Sequence, residues 1–189
     1  MSENYEIDML NGIEFGEPDT LIDLHVQQRK IARQFAGDVM SVSDAYNENC
    51  SMGTLSAYTQ AARDSADTLD EIVAESVQKI LFSTDEYTHE LKLQEVAIIL
   101  CEDYFLRMNV YRQALGLEQI EMTTDDLSDK LSMISSSQGE TTEDTYEIIM
   151  MVHQANLEPD FPAFVTSLVL GEVDYWDYCE EDFDEEGNG

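Results

Sequence analysis

The stretch that decides the fold is Thr54–Phe82, TLSAYTQAARDSADTLDEIVAESVQKILF. Ala62, Ala66, Leu69, Val73, Val77 and Ile80 recur in it every three or four residues, the spacing that lines up one face of an α-helix. Asp64, Asp67, Glu71 and Glu75 recur at the same period. With 3.6 residues per turn the two rows fall on opposite sides of the helix. The segment therefore predicts one long amphipathic helix, apolar towards a core and acidic towards solvent.

The same period extends in both directions. Upstream, Pro18-Asp19-Thr20 opens a helix whose inward row is Leu21, Leu24, Ile31, Phe35 and Val39, and Arg29, Lys30 and Arg33 lie on it. Downstream, Ser83-Thr84-Asp85-Glu86 offers a cap and an acidic first turn for a helix running to Leu115, with Gly116 as its stop. Val96 to Leu106 is apolar on most sides, which predicts the centre of a bundle. Thr123-Thr124-Asp125-Asp126 starts a shorter helix with Leu127, Leu131 and Ile134 inward, and Ser135 to Gly139 reads as a linker. Glu140 to Asn156 reads as a further helix, Pro159 to Pro162 as a turn, and Phe164 to about Cys179 as the last helix. The fold expected is all-α: an irregular bundle of about five to six helices over residues 19–171, with a loosely ordered segment 1–18 before it and an acidic, aromatic tail 172–189 after it.

The charge is extreme: 41 Asp and Glu against 9 Lys and Arg, a formal net charge of −32 in 189 residues. Self-repulsion on that scale opposes the compact state. The 43% hydrophobic content, with 9 Tyr and 7 Phe, nevertheless separates the chain from disordered polyanions, which are poor in apolar and aromatic residues. The bases are confined between Arg29 and Lys130, so the last 59 residues carry 15 acids and, His153 aside, no base. Nine of the fifteen residues from Glu172 to Glu186 are acidic, interleaved with Tyr175, Trp176, Tyr178 and Phe183.

Several function classes are disfavoured. Direct nucleic-acid binding would be repelled, and so would docking to an anionic membrane. The apolar runs Val96–Cys101 and Ile148–Val152 are too short to span a bilayer. Cys50, Cys101 and Cys179 are odd in number and without a CxxC, which fits reduced thiols in a cytoplasmic setting. The acidic N-terminus lacks the basic and apolar regions of a secretory signal. Glu86-Tyr87-Thr88-His89 holds one Glu-x-x-His spacing, whereas a di-iron bundle needs two. No phosphate-loop, dinucleotide, nucleophile-elbow or zinc-protease motif occurs. Neither an enzyme, a cofactor nor a metal site is expected.

In composition alone the chain resembles the DNA-mimic inhibitors that phages and mobile elements direct against restriction and CRISPR systems. That resemblance implies a protein of the host cytoplasm that blocks the DNA- or RNA-binding channel of a basic partner, such as a nuclease or a Cas complex, by offering carboxylates where phosphates would sit. The candidate contact residues are Asp64, Asp67, Glu71 and Glu75, together with Asp174, Asp177, Glu180, Glu181, Asp182, Asp184, Glu185 and Glu186 in the tail. Trp176 and Tyr178 are candidate anchors, because binding hot spots favour Trp and Tyr. A symmetric homodimer would lengthen such a surface. The alternative is an acidic helical assembly or chaperone protein that shields a basic structural partner. In a halophilic source, by contrast, the acids would serve hydration alone.

Overall fold

Residues 21–84 and 88–171 are described by a computed structural model, and among them six α-helices and no strand are found. They are α1 (Leu21–Asn47), α2 (Met52–Leu81), α3 (His89–Ala114), α4 (Thr124–Ser136), α5 (Thr142–Leu157) and α6 (Asp160–Leu170). The protein is all-α, as its periodicity predicts. Segment 1–18 and tail 172–189 lie outside the described residues.

The helix in Thr54–Phe82 forms with the expected inward row. Ala62, Leu69, Val73, Val77 and Ile80 are buried and Ala66 is partly buried, while Asp64, Asp67 and Glu71 are exposed. Ser51 starts it, its hydroxyl accepting from the Thr54 amide at 3.2 Å. A short turn over 48–51, with Asn49 at φ 51°, returns α2 along α1, as short helix–helix connections require. Ser65 of α2 donates a hydrogen bond to the Asp38 carboxylate of α1. In α1, Leu24, Phe35 and Val39 are buried as expected, but Leu21 is exposed at the helix end.

Two apolar cores result. One joins the C-terminal half of α2 (Val73, Val77, Ile80) to the N-terminal half of α3 (Leu93, Val96, Leu100), with Ile134 from α4 and Ile149 from α5. The other joins α1 (Phe35, Val39, Val42) to Leu69, to Met108 and Tyr111 near the end of α3, and to Phe164 of α6. In the second core Tyr111 stacks on Phe164 at 5.2 Å and meets Phe35 edge-on at 5.8 Å. Helix α3 contributes to both cores, which is the central position its apolar middle predicts.

Four boundaries depart from the expectation. Helix α3 starts after Thr88, whose hydroxyl accepts from the Leu91 amide, and not at Ser83; residues 85–87 lie outside the described residues. Ser135 and Ser136 extend α4 instead of forming a linker. The turn expected over Pro159 to Pro162 covers only Glu158 and Pro159: α6 begins at Asp160, with Pro162 in its first turn, where a missing amide costs no helical hydrogen bond. Helix α6 ends at Leu170 because Gly171 adopts φ 66°, a left-handed stop that glycine takes freely; its expected continuation to Cys179 lies outside the described residues. Thr123 and Thr141 each form a reciprocal capping box, with Asp126 and Asp144 respectively, which spends those two acids on helix starts.

Candidate functional site

Two features of opposite character meet on α2. The first is its outward acidic row. From Asp64 to Glu75 the helix rises about 16 Å at about 1.5 Å per residue, so the four carboxylates span a surface several phosphates long. Asp64 accepts a hydrogen bond from Gln60 Nε2 at 2.8 Å, and no ion pair reaches Asp64, Asp67 or Glu71 from a described residue. Glu75, at the end of the row, is compensated in part by Lys79 at 3.9 Å. The remaining candidates, Asp174, Trp176, Asp177, Tyr178, Glu180, Glu181, Asp182, Asp184, Glu185 and Glu186, lie outside the described residues.

The second feature is a buried ionic cluster between the two cores. Leu69 belongs to one core and Val73 to the other, and Asp70 stands between them. On α3, Leu100 and Met108 mark the same two cores, with Asp103 and Arg107 between. Arg107 Nε donates to Asp103 Oδ1 at 3.1 Å, and Arg107 Nη2 lies 2.6 Å from Asp70 Oδ1, an ion pair without hydrogen-bond alignment. From α5, His153 Nε2 lies 2.8 Å from Asp103 Oδ2. An ionised Asp103 can only accept, which assigns the proton to Nε2. His153 Nδ1 is then buried with no partner. Burial pulls the Arg107 guanidinium down, but Asp103 and Asp70 outweigh it and hold it above its ordinary value. Burial lifts the Asp70 carboxyl above the usual carboxylate range, with Arg107 opposing.

A cavity of about 570 Å³ opens beside this cluster, within the range of ordinary ligand pockets. Asp67 and Asp70 of α2, Arg107 and Tyr111 of α3, and Glu158, Asp160 and Phe161 at the α5–α6 junction line it. Only residues 158 and 159 separate α5 from α6, and Asp160, the first residue of α6, is 7% exposed. Burial raises its pKa to about 6. The Arg63 guanidinium lies over the Phe161 ring, 5.6 Å from its centroid. Burial also raises Tyr111, whose hydroxyl stays protonated throughout the physiological range.

The other expected sites resolve simply. Cys101 is buried, which raises its thiol pKa, and Cys50 is exposed. His89 meets Gln138 Oε1 at 2.8 Å. Among the described residues no group of three His, Cys, Asp or Glu is placed to hold a metal, and no helix is long and apolar enough to cross a membrane.

The sequence located the acidic row but missed the cluster and the cavity. Asp103 and Arg107, four residues apart in the apolar middle of α3, were the available signal: a charge pair at i,i+4 in such a setting marks an internal ion pair. Compared with known proteins, the chain matches no protein-family model, no curated protein and no solved structure.

Proposed function

We propose that this chain is a nucleic-acid-mimicking inhibitor that occupies the nucleic-acid channel of a basic host-defence or DNA-processing protein. The observation that carries the proposal is the α2 face, where Asp64, Asp67 and Glu71 stand exposed without an ion-pair partner among the described residues in a chain of net charge −32. Ordinary exposed helices interleave Glu with Lys at i,i+4, and this one does so at Glu75–Lys79 alone. Carboxylates on a rigid helix offer a partner's Lys and Arg the charge of a phosphate row. Association would be fast and weakened by salt.

The test is a pull-down from host lysate followed by competition. Displacement of the captured protein by duplex DNA or by guide-loaded target supports mimicry. Binding that persists in excess nucleic acid and through about 0.5 M salt, where the screening length is only a few ångströms, overturns it. Capture of a basic structural protein under those same conditions would favour assembly or chaperoning instead.

A further inference from the structure

Of the two buried acids among the described residues, Asp103 is bonded twice and the Asp160 side chain has no hydrogen bond or ion pair. Asp160 is 7% exposed, and what solvent its carboxyl meets lies in the cavity it lines between α2, α3 and the α5–α6 junction. The charges around it decide what fits. Arg107 is already neutralised by Asp70 and Asp103, so it offers little to an anion. Asp67, Glu158 and Asp160 remain, opposed on the wall by Arg63. The cavity is therefore negative, and its lining also includes apolar surface from Ala66, Leu157 and Pro162. No three carboxyls gather as metal ligands would, which disfavours a bare divalent ion. Arg63 stacked on Phe161 displays the wall's affinity for a planar organic cation.

We propose that this cavity binds an alkyl cation of the arginine or lysine type, its stem along Ala66, Leu157 and Pro162 and its charged head on Asp160. The volume exceeds what one such group needs, leaving room for water or for neighbouring residues of a longer ligand. Asp67 belongs both to the cavity and to the exposed row of α2, so a basic side chain gripped by that row could reach the cavity from it. The site stands on the cavity's own geometry and does not require mimicry to be correct.

The experiment is an amide-resolved NMR titration of the full chain, at physiological salt, with N-acetyl-arginine amide and with its neutral isostere N-acetyl-citrulline amide. Saturable shifts confined to Asp67, Asp70, Tyr111, Asp160 and Phe161 are expected for the arginine derivative. Citrulline, and the arginine derivative on Asp160→Asn, should each bind at least about tenfold more weakly, since a charge-assisted contact is lost. Equal binding of citrulline, undiminished binding to Asp160→Asn, or shifts spread over the whole acidic surface would each overturn the proposal. Putrescine supplies a further arm: tighter binding than the arginine derivative assigns the site to a free amine, the reverse order to a side chain.

If Asp160→Asn does not fold, Asp67→Asn and acidification of the natural chain decide. The groups facing Asp160 are Arg63, Asp67 and Asp70 on α2, Arg107 and Tyr111 on α3, and Glu158 beside it. Affinity should fall as Asp160 protonates through about pH 6. Affinity that is flat there and unaltered by Asp67→Asn refutes the site.

Discussion

Replacing Arg107 by Met tests whether the buried ionic cluster holds the two cores together. At 3.1 and 2.6 Å each carboxylate attracts the guanidinium by roughly 5–6 kcal/mol at an effective dielectric of about 20. Withdrawing the ions from water costs several kcal/mol each, so the intact cluster is close to neutral for stability. Removing one partner is different. Asp103, whose side chain is 0% exposed, would keep its desolvation cost and lose its main compensation, whereas Asp70, at 24%, can still reach water. Breaking such a pair costs about 3–5 kcal/mol, a large part of a typical domain stability of about 5–15 kcal/mol.

Urea unfolding followed by circular dichroism should show that loss at neutral pH, with the midpoint lowered and the slope unchanged. Adding Asp103→Asn should restore part of the loss, since the amide oxygen still accepts from His153 Nε2. A loss below about 1 kcal/mol for Arg107→Met, or strict additivity of the two substitutions, would refute the argument.

Asp160→Asn should stabilise the chain at neutral pH by about 1–3 kcal/mol, because a carboxyl lifted to about 6 from a usual value near 4 disfavours its own ionised form. The natural chain should lose that increment as pH rises from about 4 to about 6 and the variant should not; equal pH dependence of the two in urea titrations would count against an unpartnered Asp160. Stability should rise with NaCl as repulsion is screened, and a chain carrying Asp64→Asn, Asp67→Asn and Glu71→Gln should melt higher at low salt with a flatter salt dependence, as read by calorimetry. Gly139→Ala should cost about 1–3 kcal/mol, since a Cβ there would collide with Asp144 at the start of α5; an unchanged unfolding midpoint would contradict this.

How much of the molecule the sequence discloses depends on where each signal is written. The rows of α2 are legible because one helix carries both faces, and α3 reads as central because apolar residues cover most of its circumference. Beyond the Asp103–Arg107 pair the ionic cluster is not legible, because Asp70 and His153 join it from two other helices and Asp70 is easily taken for one more solvated acid. The junction of α5 and α6 misleads for a local reason: two prolines in four residues suggest a turn, yet Pro162 sits where a helix tolerates it. That error hid Asp160, since an acid in a turn is expected in water. Gly171 did mark the end of α6, but a lone glycine after the apolar run Leu168–Leu170 is a weak signal until its φ is known.

The placement of the bases bears on the proposed function. Were repulsion the quantity to be minimised, the few cations would lie among the surface acids. Arg107 and Arg112 are instead buried. Arg112 Nε donates to the Glu118 carbonyl at 2.6 Å and Lys92 Nζ to the Ser83 carbonyl at 2.6 Å. Lys130 is half-buried, and that burial lowers its pKa. Four of the nine cations thus serve internal polar groups or lie within the packing, and the surface acids stay largely uncompensated. A basic partner would then gain its direct contacts and also relieve the chain's self-repulsion, so its binding should stabilise the fold more than contacts alone imply. Part of that increment should disappear in high salt, where the repulsion is already screened. A partner that raised the melting temperature equally at low and high salt would hold the chain by its apolar surface, and the acidic face of α2 would then be a solvated face and no more.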